Sequence, residues 1–338
     1  MLQDNIGKNI LVTGGAGFIG SHLTEKLLSI GHNVIVVDNF NDYYDKNLKE
    51  INIKEIENTA KKFNKVFKLF RGDIRDQNFM ESIFMNHSIN GVVSLAANAG
   101  VRPSIENPLY YIDVNVKGLA ILLELAKKYG VKPFIFISSS SVYGNNKKIP
   151  FSENDNVDMP ISPYAATKKA GELLCYTYHS LFHINIACLR YFTVYGPRQR
   201  PDLAINKFTK LMIENKPIPM YGNGSTSRDY TYIDDIVEGT VRALNYVSDN
   251  TKDVYEIFNL GGSKPISLID LINIIGEELK IKPIINQLEM QKGDVNITYS
   301  DYSHAKDIIN YEPKIDIKQG ISNFVSWYKN EVDKANNK

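Results

Sequence analysis

Short apolar runs alternate with longer amphipathic stretches through the first half of the chain. The apolar runs Asn9–Val12, Asn33–Val37, Val66–Phe70, Val92–Leu95, Phe134–Ser138 and Asn185–Arg190 predict buried strands. Between them a 3.6-residue period predicts helices over Ile19–Ile30, Asn47–Phe63, Asn78–Asn86, Pro108–Tyr129 and Pro163–His183. Strands alternating with helices imply right-handed crossovers and a parallel sheet covered on both faces. After Tyr195 the rhythm loosens. Pro197, Pro201, Pro217 and Pro219 break it, and helical patterns at Ala204–Glu214, Ile233–Val247, Leu268–Lys280 and Ile317–Val332 alternate with loops. The expected fold is α/β, a doubly wound parallel sheet over residues 1–192. A smaller, irregular lobe follows over 193–338, with some segments returning to the first domain. A ligand is expected between the lobe and the C-terminal edge of the sheet.

Composition narrows the partners. The 338 residues are 23% charged with a net charge of +1, which offers no field to attract nucleic acid or an acidic membrane. No apolar run reaches the roughly 18 residues of a membrane span. Two cysteines, Cys175 and Cys188, cannot make a disulfide framework, and the first strand begins at Asn9, leaving no room for a cleavable signal. The expectation is a cytoplasmic protein without a nucleic-acid or membrane partner.

Chemistry enters at three places. Gly14-Gly15-Ala16-Gly17-Phe18-Ile19-Gly20 follows one strand and opens a helix, the context a dinucleotide-binding turn requires. Its spacing is G-x-x-G-x-x-G rather than G-x-G-x-x-G. Gly14 permits the turn, Gly17 lets amides approach a pyrophosphate, and Gly20 allows close packing, while the helix start offers unpaired N–H groups. With this turn the sheet reads as Rossmann-type. Asp38 ends the second strand, where a carboxylate accepts from a ribose diol and repels a 2′-phosphate. The following Asn39-Phe40-Asn41-Asp42 brings no arginine, so NAD is expected over NADP.

The third place is Pro163-Tyr164-Ala165-Ala166-Thr167-Lys168, which puts a phenol and an ammonium on one helix face. A tyrosine titrates near 10, so a phenolate base at neutral pH needs a shift of about three units, or about 4 kcal/mol. Lys168 and a positive nicotinamide ring are expected to supply it, with a serine of the Ser138–Ser141 cluster sharing the proton. A Tyr-x-x-x-Lys pair also arises by chance on amphipathic helices. His179 and His183, four apart, lack a third ligand motif and read as a surface or interface face, and no metal is expected. The stretch Lys46–Lys65 reads as a solvated helix face.

These residues resemble the extended short-chain dehydrogenase/reductases and, within them, the nucleotide-sugar 4-epimerases, closest to the UDP-glucuronate branch. The likeness runs from Asn9 to about Trp327 and is carried by 96–102 (AANAGVR), 138–144 (SSSSVYG), 190–197 (RYFTVYGP), 228–235 (RDYTYIDD) and 293–295 (GDV). The resemblance implies that Tyr164 is the base, Lys168 its partner and Ser139 the matched serine. It implies cofactor contacts from Phe18, Ile19, Asn39, Asp73, Ile74, Leu95, Ala96, Ala97 and Tyr191. The substrate set it gives is Arg102, Ser139, Ser140, Ser141, Thr193 and Arg200, with Arg228 on the diphosphate and Asp294 on its ribose.

UDP-galactose epimerases carry Arg-Pro where this chain has Gln291-Lys292, and an asparagine where it has Thr193; both departures fit the glucuronate branch. The family's 4,6-dehydratases and decarboxylases carry acids where this chain has Ser140-Ser141, so 4-epimerisation of a UDP-sugar with NAD is expected. A UDP-glucose or UDP-N-acetylglucosamine 4-epimerase, a dehydratase or decarboxylase, and a silent NAD-binding sensor are the alternatives. A C5 carboxylate would be met by Arg102, Arg198 or Arg200, with Thr193 adding a hydroxyl. A homodimer is expected through the helices Pro108–Tyr129 and Pro163–His183, on Leu119, Leu122, Leu123, Leu173, Leu174 and Tyr178.

Overall fold

The computed structural model describes residues 7–289 and 295–336. The first half runs β1 (Asn9–Thr13), α1 (Phe18–Ser29), β2 (Asn33–Asp38), α2 (Lys46–Phe63), β3 (Phe67–Arg71), α3 (Gln77–Asn86) and β4 (Gly91–Ser94). It continues with α4 (Val101–Glu106), α5 (Pro108–Ile112), α6 (Gly118–Lys128), β5 (Pro133–Ile137), α7 (Pro163–Phe182) and β6 (Asn185–Tyr191). Then follow β7 (Thr193–Tyr195), α8 (Ala204–Ile213), β8 (Ile218–Tyr221), β9 (Ser227–Tyr232), α9 (Ile233–Val247), β10 (Tyr255–Leu260) and β11 (Pro265–Ser267). The last elements are α10 (Leu268–Leu279), β12 (Ile285–Leu288), α11 (Ser303–Ile309) and α12 (Ile317–Asn336).

Seven strands form one sheet in the order β10-β6-β5-β4-β1-β2-β3, every ladder parallel. The pleat divides the core. Ile10 and Val12 of β1 join Leu23, Leu27, Ile53, Ile56, Ile236 and Leu244 on one face. Leu11, between them, joins Met80, Ile83, Leu122, Phe134 and Cys175 on the other. Burial on both faces explains why these strands are apolar throughout rather than alternating. The strand order reverses between β1 and β4, so the loops after them part and open a crevice at the C-terminal edge. From the second half of the chain, β10 pairs with β6 and α9 packs on the same face as α1. Two small sheets, β11-β9-β7 and β12-β8, build the surface beyond.

The expected single helix over Pro108–Tyr129 is interrupted. Between α5 and α6 the residues Asp113–Lys117 widen into a π-helical turn. Asn115 sits in that turn, bonding the backbone N–H and C=O of Asn98 and the Thr167 hydroxyl, so the bulge ties the β4 loop to α7. The apolar surplus predicted on this helix is also resolved differently. Leu119, Leu122 and Leu123 are buried in the chain's own core, and Leu174 and Tyr178 pack against it. Leu173 stays exposed, joined by Leu109, Ile112 and Tyr176.

Candidate active site

A cleft of about 370 Å³ lies across the C-terminal ends of β1, β2, β4, β5 and β6. At one end is the glycine turn. Gly14 has φ +73°, and a Cβ there would come within 2.9 Å of the Ala96 nitrogen; a Cβ on Gly20 would lie 2.3 Å from the Gly14 carbonyl oxygen. The turn closes only with hydrogen at both places. Gly17 caps α1 with no side-chain hydrogen bond, and the first turn carries no acid, so the leading N–H groups are open to an anion. That cradle fits the pyrophosphate of a dinucleotide. Phe18, Ile19, Leu95, Ala96, Ala97 and Tyr191 line the same cleft. The Tyr191 hydroxyl is committed to Thr240 at 2.6 Å.

Further along, Asp73 and Ile74 border the cleft beside Asn39. Arg75 grips both oxygens of Asp73, Asn39 donates to one of them, and together they draw that carboxyl down to about 2. Asp38 is buried at the end of β2. Its Oδ1 accepts from the Phe40 N–H at 2.9 Å and from Lys49 Nζ at 3.1 Å, and its Oδ2 from the Ala16 N–H at 3.2 Å. Lys49 corrects the reading of Lys46–Lys65 as a solvated face, because its side chain is only 6% exposed and borders the cleft. The signal was in the sequence: Lys49 shares the inner stripe of α2 with Asn52, Ile53, Ile56 and Ala60.

At the other end stand Tyr164 and Lys168, on the first turns of α7. The Ser162 hydroxyl accepts from the Ala165 N–H and Pro163 occupies the first helical position, which fixes where α7 begins. Burial raises the Tyr164 phenol above its ordinary value, while a hydrogen bond from Ser139 and the charge of Arg200 pull it down. Lys168 was expected to exert that pull. Its ammonium instead donates to the Ile137 carbonyl at 2.6 Å and lies 5.9 Å from the centre of the Tyr164 ring. Burial lowers Lys168 to about 8.

Ser139 follows β5 by two residues and accepts from the Ser141 N–H, capping a 3₁₀ turn that carries Ser140 and Ser141; these two do not border the cleft. Beneath the turn, Arg190 grips Glu172 through Nε and Nη2 at 2.9 Å each, and Glu172 accepts from the Ser138 hydroxyl at 2.7 Å. Arg190 also donates to the Tyr143 hydroxyl, which donates to Asn259 Oδ1. This buried chain joins β5, α7, β6 and β10.

Thr193 and Arg200 border the cleft. Arg200 donates through Nε and Nη2 to Asp202 and stacks 4.9 Å over the Tyr43 ring. Arg198 faces α1 instead, bonded to Glu25 and His22, and leaves the site. Arg102, on α4, stacks 5.1 Å over the Tyr221 ring, and Arg228, on β9, donates to the Ser227 carbonyl; neither borders the cleft. Asp294, with Gln291 and Lys292, lies outside the described residues. His179 and His183 both turn toward Asp253. Among the cleft-wall residues not assigned from the sequence are Tyr43, Tyr44, Lys49 and Asn98.

A family model described as GDP-mannose 4,6 dehydratase matches residues 11–324. The chain is 45% identical over 324 residues to a UDP-glucuronate 4-epimerase of Thermodesulfobacterium geofontis, covering 96% of this chain and 97% of the relative. It is similar to the crystal structure of the UDP-glucuronic acid 4-epimerase of Bacillus cereus in complex with UDP-glucuronic acid and NAD, with a TM-score of 0.87 and 37% identity over 96% of this chain and 99% of that one. It is also similar to the UDP-glucose 4-epimerase of Thermotoga maritima, with a TM-score of 0.84 and 34% identity over 96% and 99% of the two chains. No helix among the described residues is long and apolar enough to cross a membrane.

Proposed function

The chain belongs to the GDP-mannose 4,6-dehydratase family of extended short-chain dehydrogenase/reductases, and from that premise we propose that it is an NAD-dependent UDP-sugar 4-epimerase interconverting UDP-glucuronate and UDP-galacturonate. The observation that carries the reading is the meeting of Tyr164, Ser139 and the Arg200 cation in one cleft with the glycine turn at its far end. NAD, when bound, accepts a hydride from C4 of the sugar and gives it back to the other face.

The residues do the rest. Tyr164 takes the proton of the 4-hydroxyl and returns it, with Ser139 sharing its hydrogen bond and the Arg200 charge favouring the phenolate. Lys168, anchored on the Ile137 carbonyl, holds the floor of the site and presents its charge to the cofactor. Arg200 has five N–H groups and Asp202 takes two while the Tyr43 ring covers the guanidinium face, so donors remain for a C5 carboxylate. The 4-keto acid loses CO₂ when its carboxylate stands perpendicular to the ketone plane, so pinning it also protects the product. Ser140 and Ser141, where a dehydratase or decarboxylase has acids, supply no group to drive elimination.

A product assay by NMR with UDP-glucuronate, UDP-glucose and UDP-N-acetylglucosamine side by side tests the assignment. Epimerisation should be fastest with the acid, and Arg200→Met should let a pentose appear. Faster turnover of a neutral sugar in the wild type would reject the glucuronate reading. Exposed Leu109, Ile112, Leu173 and Tyr176 on α5 and α7 support a homodimer. Light scattering at micromolar concentration should give twice the 38.3 kDa chain mass, and a monomer would refute it. Two buried free thiols, Cys175 and Cys188, support a reducing cytoplasm as its compartment.

A further inference from the structure

The buried pair at the end of β2 is more than a carboxylate awaiting a ribose. A carboxylate offers about four acceptor positions, two on each oxygen. On Asp38, Oδ1 already holds the Phe40 N–H and Lys49, and Oδ2 holds the Ala16 N–H. One position is left, enough for one hydroxyl of a diol but not for two. Lys49 is the complement. Of its three N–H groups, one goes to Asp38 at 3.1 Å and one to Asn41 Oδ1 at 3.2 Å, leaving one donor. Both side chains are nearly buried, at 6% and 4% exposure, and both border the cleft. Lys49 is fixed in place by the ring of Tyr44, 5.5 Å away, and that of Phe40, 5.9 Å away. Arg71, the neighbour of Asp38 across the β2–β3 ladder, has both terminal nitrogens held by Glu50 and its guanidinium stacked on Phe40.

We propose that Lys49 is a specificity-determining ligand of the cofactor: the Asp38–Lys49 pair reads the adenosine ribose as one acceptor and one donor, and Asp38 is what keeps this ammonium from taking a 2′-phosphate. The inference rests on the NAD reading of the cleft. Its consequence is that this chain needs no added arginine to accept the phosphorylated cofactor; the cation is already built in and is masked by its partner.

The test measures dissociation constants of NAD⁺ and NADP⁺ by equilibrium dialysis on protein stripped of dinucleotide. The four proteins are wild type, Lys49→Met, Asp38→Ser and the double variant, each checked by circular dichroism. Loss of one charge-assisted hydrogen bond should weaken NAD⁺ binding by Lys49→Met about tenfold, with no gain for NADP⁺. Asp38→Ser should shift the preference toward NADP⁺ by about tenfold or more, and the double variant should lose that shift. Equal NAD⁺ affinity in Lys49→Met and wild type, or the same NADP⁺ preference in Asp38→Ser and the double variant, would overturn the proposal. If Lys49→Met does not fold, because it strands the carboxylate, the comparison of Asp38→Ser with the double variant decides alone. Failure of the wild type to bind NAD⁺ at all would instead reject the reading of the cleft.

Discussion

At the glycine-turn end of the cleft the wall is chiefly backbone, from a β1–α1–β2 unit continuous in sequence, where a cofactor would lie. At the proposed sugar end the wall is side chains carried by the turn after β5, α7, β7 and the loop that holds Arg200. The first surface is shaped by absent atoms: Gly14 and Gly20 keep clear the space that a Cβ would close. The second is shaped by charges on separate elements, held in register by the buried Arg190–Glu172 pair and its bonds to Ser138 and Tyr143. Damage at the cofactor end should therefore appear as lost binding, and damage at the sugar end as lost turnover with binding kept.

Tyr164→Phe is the strongest test of that division. It removes a proton acceptor while leaving the ring in place, so turnover should fall by about 10² to 10⁴. NAD affinity and melting temperature should stay near wild type, since among the described residues this hydroxyl is tied only to Ser139. Stopped-flow or product assays on the purified variant measure the loss. Turnover within a few-fold of wild type would place the base elsewhere and dissolve the division.

Gly20→Ala probes the opposite end with a smaller effect. Alanine is the better helix former by about 1 kcal/mol, yet its Cβ would meet the Gly14 carbonyl, a backbone atom that cannot swing aside. The turn must open, costing about 1–3 kcal/mol. NAD binding should weaken roughly in proportion, with turnover at saturating cofactor little changed. If turnover falls while NAD affinity holds, the two ends are not separable.

The same contrast explains what could be read from the chain. The cofactor end was legible because strand, glycine turn, helix and Asp38 lie within about thirty residues and follow a periodic pattern. Lys49 is less legible because a lysine belongs to solvent by residue type, and only its place on the inner stripe of α2 puts it inside. Tyr164, Lys168 and the serine beside the phenol are legible in the sequence, but the seat of Lys168 on the Ile137 carbonyl and the Arg200 charge on Tyr164 are not. Whether an ammonium faces a phenol or a carbonyl depends on how β5 and α7 pack, which spacing alone does not encode. The strand β10 was missed because its seat beside β6 follows from tertiary pairing rather than from its own short pattern.

Lys168 offers the smallest and most discriminating effect, because it stands between the two ends. Burial brings its ammonium down to about 8 from an ordinary 10.5. In the unfolded chain the same lysine keeps its proton until about 10.4. Between those values the unfolded state binds more protons than the folded one, so on this lysine's account stability rises with pH across that window. A ligand that prefers the charged form behaves oppositely, binding less well once the free protein loses the proton. NAD affinity should therefore weaken by up to about tenfold as pH passes from 7 to 9.5, without any loss of melting temperature traceable to Lys168. Lys168→Met should bind weakly and with no such pH dependence, because the titrating group is gone. An NAD dissociation constant that stays flat in the wild type over this range would mean that Lys168 serves only as a tie to the Ile137 carbonyl. The charge that conditions the chemistry would then rest with Arg200 alone, at the sugar end of the cleft.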